Sequence, residues 1–439
     1  MSWAWLALVT LVGAGQETDA QALVQQLGAG RYAQREDAAK ALEVQGRLAL
    51  SALRQARESR DPEVRARVAA LVERIESSLL VRPTLVRLDY RDHPLAEVVK
   101  DLADQTGMKL ALAPDGLRRG PLPRITLQEP EPVPFWQALD QLCVVGRLRP
   151  SLGPLIFTGA SELAAGVALT DNSGRAGPAF VSDHGPFRVR LQRLHYERDL
   201  DFDPPDDQGG AAAATEQFQA QIQVMAEPRL LVGLAGALRM TEAVDDLGQS
   251  LLPTIETLES GVEIKDFIEF SPGPMVQLPV ALSYPDRPGR LIRRLRGVVP
   301  LVVAARQPDP LIAPLAGALG KTFRQGNLAL TVESIRTDPN DPQVTIDLIL
   351  HPGSADGAGP FGEEAAAPAF LEHQFEVSDA RGRPYLLFPQ ERSIQAGEVR
   401  ITLILSPGDG ATAPAQLRYY SLTRTRTEVP FTFNDVRMP

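Results

Sequence analysis

The hydrophobic period of this chain changes near residue 82, and that change restricts the fold more than any other feature. Before it, apolar residues recur at three- and four-residue spacing: Leu23, Val24 and Leu27; Ala38, Ala39 and Leu42; Leu48, Leu50 and Leu53; then Val64, Val68, Leu71 and Ile75. That is the spacing of helices that bury one face. Asp61-Pro62-Glu63 supplies a helix start: a capping acid, proline at the first position, and an acid on the positive end of the dipole. After residue 82, alternating apolar and polar runs dominate. Those at Phe187–Leu194, Gln217–Val224, Gln277–Leu282, Leu328–Val332, Val344–Leu350 and Val399–Leu405 are separated by Pro, Gly and Asp clusters. The expected class is multi-domain α+β: a helical segment over 20–80, a small β-α-β-β-α-β domain over 82–160, and two tandem antiparallel β-sandwiches over 180–306 and 318–437.

The first residues carry their own signal. Trp3 to Ala14 is nearly uninterrupted apolar sequence, followed by the polar Gln16-Glu17-Thr18-Asp19. An apolar core of about 10–12 residues suits a signal peptide over 1–15 and falls short of a bilayer span. Val12 and Ala14 fit a small-residue cleavage pattern, with Gly13 and Gly15 as the alternative. No positive side chain precedes the core. The expected location is exported, periplasmic or extracellular, with no integral membrane segment after cleavage. The mature N-terminus should fall near Gly15 or Gln16, which N-terminal sequencing of the native protein checks.

In the helical segment, Ala49–Leu53 and Asp61-Pro62-Glu63-Val64-Arg65 resemble HEAT-type helical repeats over roughly one and a half units. Such units bury their faces by stacking on a neighbour. Generic amphipathic helices are the alternative.

The β-α-β-β-α-β order is read from Leu85–Tyr90, the helix Leu95–Thr106 closed by Gly107, strands at Lys109–Ala113 and Ile125–Leu127, a helix from Pro134 through Leu142, and a last strand at Pro154–Thr158. Pro114-Asp115-Gly116 reads as a turn. Three runs resemble the short N-terminal domain of secretins and TonB-dependent receptors. They are Leu88-Asp89-Tyr90-Arg91-Asp92-His93-Pro94-Leu95, Leu102-Ala103-Asp104-Gln105-Thr106-Gly107 and Trp136-Gln137-Ala138-Leu139-Asp140-Gln141-Leu142. The resemblance implies a periplasmic protein-interaction module with no catalytic residues to carry over. The sequence departs from that family in having no pore or barrel after the domain. Leu95, Val98, Val99, Leu102, Leu139 and Leu142 are expected to face inward, leaving the other sheet face or an edge open to a partner strand.

The strand-rich part contains an internal repeat. Asp245-Asp246-Leu247-Gly248 leads into Leu251-Leu252-Pro253, and Asp379-Ala380-Arg381-Gly382 leads into Tyr385-Leu386-Leu387. The two are roughly 130 residues apart, near the size of a seven-stranded sandwich with loops, which favours two tandem sandwiches; the alternative is one large duplicated sandwich. Each tetrad should be a turn with aspartate first and glycine last. Ile292–Pro300 and Leu422–Pro430 share a second pattern, with arginines two and four places on and Val-Pro at the end. It predicts that Pro300 and Pro430 match.

Chemistry-bearing patterns are sparse. A net charge of −10 lacks the basic footprint that phosphate polymers require. There is no Gly-x-Ser-x-Gly elbow, His-Glu-x-x-His or phosphate loop. Gly233 and Gly236 lack the third glycine of a dinucleotide fingerprint. His93, His184, His195, His351 and His373 are scattered singly, and Cys143 sits in an apolar run as a buried small hydrophobe. The only metal-like pattern is Asp199, Asp201 and Asp203, whose alternating carboxylates suit calcium. The places where an EF-hand needs Gly and Glu hold Pro204 and Gly210, which favours a solvated loop. Arg290, Arg293, Arg294 and Arg296 could meet acidic polymers, but an exposed strand face guarded against edge pairing fits better. No catalytic residue and no cofactor is expected. The chain reads as a non-catalytic envelope protein for interaction or scaffolding, with an envelope protein as partner and no nucleic acid. The alternative is a secreted hydrolase or carbohydrate-active protein whose site converges only in three dimensions.

Overall fold

The computed structural model describes residues 19–56, 59–113, 122–154, 165–172, 180–201, 213–253, 273–326, 328–338, 341–351, 368–395, 398–408 and 410–439. The signal segment, Pro114-Asp115-Gly116 and Asp203 lie outside them. The chain divides into two compact units, Met1–Arg82 with Thr423–Thr425, and Pro83–Leu422 with Arg426–Pro439.

The first unit is helical. Its elements are α1 over 19–26, then α2 (Tyr32–Gln45), a 3-10 turn (Gly46–Ala49), α3 (Leu50–Ala56) and α4 (Pro62–Leu80). Asp61 caps α4: its Oδ1 accepts the Glu63 amide at 2.9 Å. Leu27, Leu42, Leu53, Val68, Leu71, Val72 and Ile75 form one core. Leu48 was expected in the buried stripe but is 53% exposed. The 3-10 turn starts at Gly46, whose φ of +57° ends α2, so Leu48 sits in a tighter turn and not on a continuous α-helical stripe.

The second unit begins with β1 (Leu85–Val86), β2 (Asp89–Pro94), α5 (Leu95–Thr106), β3 (Leu110–Leu112), β4 (Arg124–Gln128), β5 (Val133–Pro134), α6 (Phe135–Gly146), β6 (Leu148–Pro154) and β7 (Ala165–Asp171). Gly107 closes α5 in the left-handed region, its amide donating to Ala103 O at 2.8 Å. Leu95, Val98, Val99, Leu102, Leu139 and Leu142 enter one core with Trp136 and Ile125. The element order differs from expectation. The strand after α6 is Leu148–Pro154, residues 155–158 of the expected last strand lie outside the described residues, and β7 is an addition beyond residue 160. Strand β7 pairs antiparallel with β6 and parallel with β3. Parallel pairing requires a crossover, and helix α6 lies within it. The strip is not open on one side either: Val167 and Leu169 are buried on one face and Ala168 on the other.

The rest is antiparallel sheet. Strands β8 (Val181–His184), β9 (Phe187–Asp201), β10 (Ala213–Ala226) and β13 (Met275–Leu282) form one sheet in the order β13-β10-β9-β8. A second sheet centres on β14 (Leu291–Arg306), flanked by β11 (Leu231–Leu234), β12 (Arg239–Asp245) and β23 (Leu422–Arg437). Further on, β15 (Leu311–Pro314), β22 (Pro414–Tyr419) and β19 (Phe375–Asp379) form a three-stranded sheet. It shares a core with the five-stranded sheet made of β16 (Thr322–Gln325), β17 (Leu328–Asp338), β18 (Asp341–His351), β21 (Glu398–Pro407) and β20 (Tyr385–Gln395). Overall the class is α+β with strand dominant.

The two Asp tetrads occupy like places, each at the end of a strand. Asp245 ends β12 and Asp379 ends β19, and the following glycines have φ of +82° and +79°. Gly248 N–H donates to Asp245 O at 3.2 Å, and Gly382 N–H to Asp379 O at 3.0 Å. Only glycine holds that conformation without strain. Each carboxylate then accepts the amides two and four residues on: Leu247 and Gln249 at 3.0 and 2.7 Å, Arg381 and Arg383 both at 2.8 Å. The other oxygen takes an amide from a distant loop, Gly289 or Thr412, at 3.1 Å.

The second landmark does not match. Ile292–Pro300 lies on β14, with Ile292 opposite Asp245. The residue opposite Asp379 is Pro414 on β22, and Leu422–Pro430 lies on β23, which pairs with β14 itself. The shared pattern has a plain cause: neighbouring strands of one sheet, each with one covered face, carry the same alternation. Strand β23 therefore leaves the second sheet pair and completes the first. Met438 N–H donates to Arg290 O, and Gln307 N–H to Ser421 O, so the two strands run in opposite directions. Val429, Phe431, Phe433, Val436 and Met438 are buried.

Phe431 packs against Gly297 of β14. A Cβ there would stand 2.7 Å from Phe431 Cζ and 2.9 Å from Arg239 O. The expected cost of Gly297→Ala is about 1–3 kcal/mol of overpacking, read as a lower denaturant midpoint with an unchanged slope. A neutral substitution would show that Phe431 is free to move aside.

Candidate interaction surface

The small β-α domain is fixed to the four-stranded sheet by a polar seam. Arg188 projects from β9 onto α6 with its side chain 6% exposed. Its guanidinium donates to Asp140 from Nη1 at 2.7 Å and Nη2 at 2.6 Å, and to Asp183 from Nε and Nη2 at 2.7 Å each. It also lies 4.9 Å from the ring centre of Trp136. Burial works against its charge. The bonds to Asp183 and Asp140 outweigh burial, and the guanidinium pKa is raised. Trp136 Nε1 donates to Pro186 O at 3.0 Å. The same carbonyl accepts the Glu227 amide at 3.0 Å. Glu227 is wholly buried; it accepts Thr84 N–H at 2.8 Å, Thr84 Oγ1 at 2.6 Å and Arg229 Nε at 2.8 Å. Met225 of β10 completes the contact by entering the small domain's core.

Arg188 and Glu227 were not legible as special. In Phe187-Arg188-Val189-Arg190-Leu191 every arginine holds an outward place of an alternating strand. Only the covering domain makes the first of them internal. Asp140 and Trp136 belong to a run already singled out, but for its resemblance and not for this bond. Replacing Arg188 by Ala removes both charge pairs and the ring contact; the expected loss is about 3 kcal/mol. Arg188→Lys should rescue little, because a point charge cannot fork to two carboxylates. Equal melting of Lys and Arg forms would count against the forked geometry.

The other candidates lie apart. Asp199 is exposed on β9 opposite Thr215, Asp201 is opposite Ala213 at the strand end, and Asp203 is outside the described residues. Among the described residues no group of three or more His, Cys, Asp or Glu could hold a metal ion. Arg294 and Arg296 both reach Glu242 of the neighbouring strand, at 3.1 and 3.6 Å, while Arg293 occupies a bulge. Cys143 is buried on α6; burial first, and then the Asp140 charge, push its thiol up to about 12, with Arg188 partly offsetting them. His195 meets Glu197 at 3.3 Å and His351 meets Glu398 at 3.6 Å, while the His93 ring meets Tyr90 edge-on. The structure does not gather these histidines into one site. No described helix is long and apolar enough to cross a membrane.

No protein-family model matches this chain, and no curated protein does. The seam and the sheets around it are therefore read on their own chemistry.

Proposed function

We propose that this chain is an exported, non-catalytic envelope protein that works by protein–protein interaction or scaffolding. In this reading a HEAT-like helical segment is followed by a domain similar to the short N-terminal domain of secretins and TonB-dependent receptors, and then by two tandem β-sandwiches. One observation carries it. Among the described residues the buried polar side chains are Arg188, Gln223, Glu227, Asp245, Gln374 and Asp379, and each is tied to protein partners. A group that does acid–base or nucleophilic work needs a free bond aimed at substrate. These groups hold elements together instead. The seam ties the small domain to the four-stranded sheet, and such ties lower the entropy cost of presenting several contacts to a partner.

The test is crosslinking of the full chain in its native envelope, followed by pull-down. The exposed apolar residues Leu85 and Val144 of the small domain are each replaced by Arg. The expected result is a defined partner that Leu85→Arg with Val144→Arg abolishes while the melting curve stays unchanged. Absence of any partner above background, or hydrolytic turnover by the purified chain, would overturn the reading.

A further inference from the structure

The outward face of the four-stranded sheet carries a row of amides. Along β10, Phe218, Ala220, Ile222 and Val224 are buried, and Gln217, Gln219, Gln221 and Gln223 alternate with them. Residues two apart on a strand are spaced about 6.8 Å, so the row is regular. Gln223 is at the covered end, where it donates to Met275 Sδ at 3.1 Å beneath the small domain. Gln217, Gln219 and Gln221 remain solvent-accessible, and no described residue bonds their amides. On β9, Arg190 stands opposite Gln223, Arg193 opposite Gln221 and His195 opposite Gln219. Both arginines are exposed and neither has an ion-pair partner among the described residues. On the other side, Pro279 lies opposite Gln221 and Ala281 opposite Gln219, both exposed and low. Glu197, bound to His195, and Asp199 limit the face at its far end.

The corresponding face of the five-stranded sheet is a control within the same molecule. There Asp347 of β18 accepts Ser334 Oγ at 2.5 Å and Thr402 Oγ1 at 2.8 Å, and pairs with Arg336 at 3.0 Å. Arg400 pairs with Glu333 at 2.7 Å. One face satisfies itself across three strands. The other leaves three amides and two guanidinium groups without a side-chain partner among the described residues.

We infer that the face formed by Arg190, Arg193, Gln219, Gln221, Pro279 and Ala281 binds a linear anionic polysaccharide, a polymer of sugar acids. The arginines match carboxylates in charge and in forked geometry. Each amide both donates and accepts, as a sugar hydroxyl does, and a peptide carboxylate only accepts. Pro279 and Ala281 leave a shelf where the C–H side of a sugar ring can rest. Because the chain as a whole is negative, the attraction is local and salt-sensitive.

The test is calorimetric titration of the full chain with a linear oligouronate, beside a neutral oligoglucan of equal length and poly-glutamate. The oligouronate should bind, at least about tenfold more tightly than the neutral chain. Arg190→Ala with Arg193→Ala should weaken it at least about tenfold and flatten the salt dependence. Gln219→Ala with Gln221→Ala should weaken it about fivefold or more while leaving poly-glutamate unchanged. Thermal melting of each pair is the fold control, and all four side chains are accessible. No oligouronate binding, binding untouched by either pair, or poly-glutamate binding as tightly as the oligouronate overturns the assignment. Partner capture through Leu85 and Val144 is a separate readout on a separate domain.

Discussion

A chain ending at Arg426 is expected to lose the first sheet pair while keeping the second. Residues 427–439 supply Val429, Phe431, Phe433, Val436 and Met438 to a core whose other strands come from 181–306. Burying one such side chain is worth about 1.5–3 kcal/mol, so five of them rival the whole stability of a typical domain, about 5–15 kcal/mol. The cut also frees the edge of β14 from Arg290 to about Leu301, while 421–426 still cover its Gln307 end. Hydrogen exchange should show β9, β10 and β14 deprotected, with β17, β18 and β21 still slow. A synthetic peptide covering 421–439 should restore protection when added in excess. Native-like exchange in β14 of the truncated chain would mean that β23 is an ornament on a core complete without it.

Asp379→Ala should lower the melting temperature of the second core by on the order of 10 °C. The side chain is 3% exposed, and its loss leaves three amides, from Arg381, Arg383 and Thr412, without their acceptor in a closed turn. Burial opposes the carboxylate's charge, but the amide bonds from Arg383, Thr412 and Arg381 prevail and hold its pKa far below the ordinary range. Asp245 is lowered for the same reason, by Gln249 and Gly289 against burial. A depressed folded pKa stabilises in full above the unfolded value of about 3.9. That stability is lost progressively as pH falls from there through the folded value. Acid melting should therefore steepen below about pH 4, and the Asp379→Ala chain should show a shallower acid slope. Equal acid slopes in both chains would remove the turn carboxylate from the account.

The sequence was legible where a local rule decides the conformation. Asp61 before Pro62, Gly107 after α5, and the Asp-x-x-Gly tetrads all work through bonds within a few residues. The apolar stripe of α5 likewise names its own buried face. What stayed hidden depends on which faces meet. Arg188 looks like Arg190 until a second domain covers one and not the other. The Ile292–Pro300 and Leu422–Pro430 runs look like two copies of one strand, yet they are two strands of one sheet. Strand β7 follows a stretch with no periodic signal, and its place is fixed by a parallel partner that no local pattern reveals. The glutamine row was read only as a strand, because alternation reports burial and not what the outward side is for.

The path of β23 also sets an order of events. Strand β14 is made before β15 through β22, and its last neighbour is made after all of them. A chain emerging from its N-terminus must hold β14 with one side unpaired while more than a hundred residues follow. Closure then waits on a pairing of very long sequence separation, which is slow. In the interval the bare edge can take a strand from another copy. A chain with this topology gains by being kept extended, or guarded by a holding chaperone, until β23 is available to pair with β14.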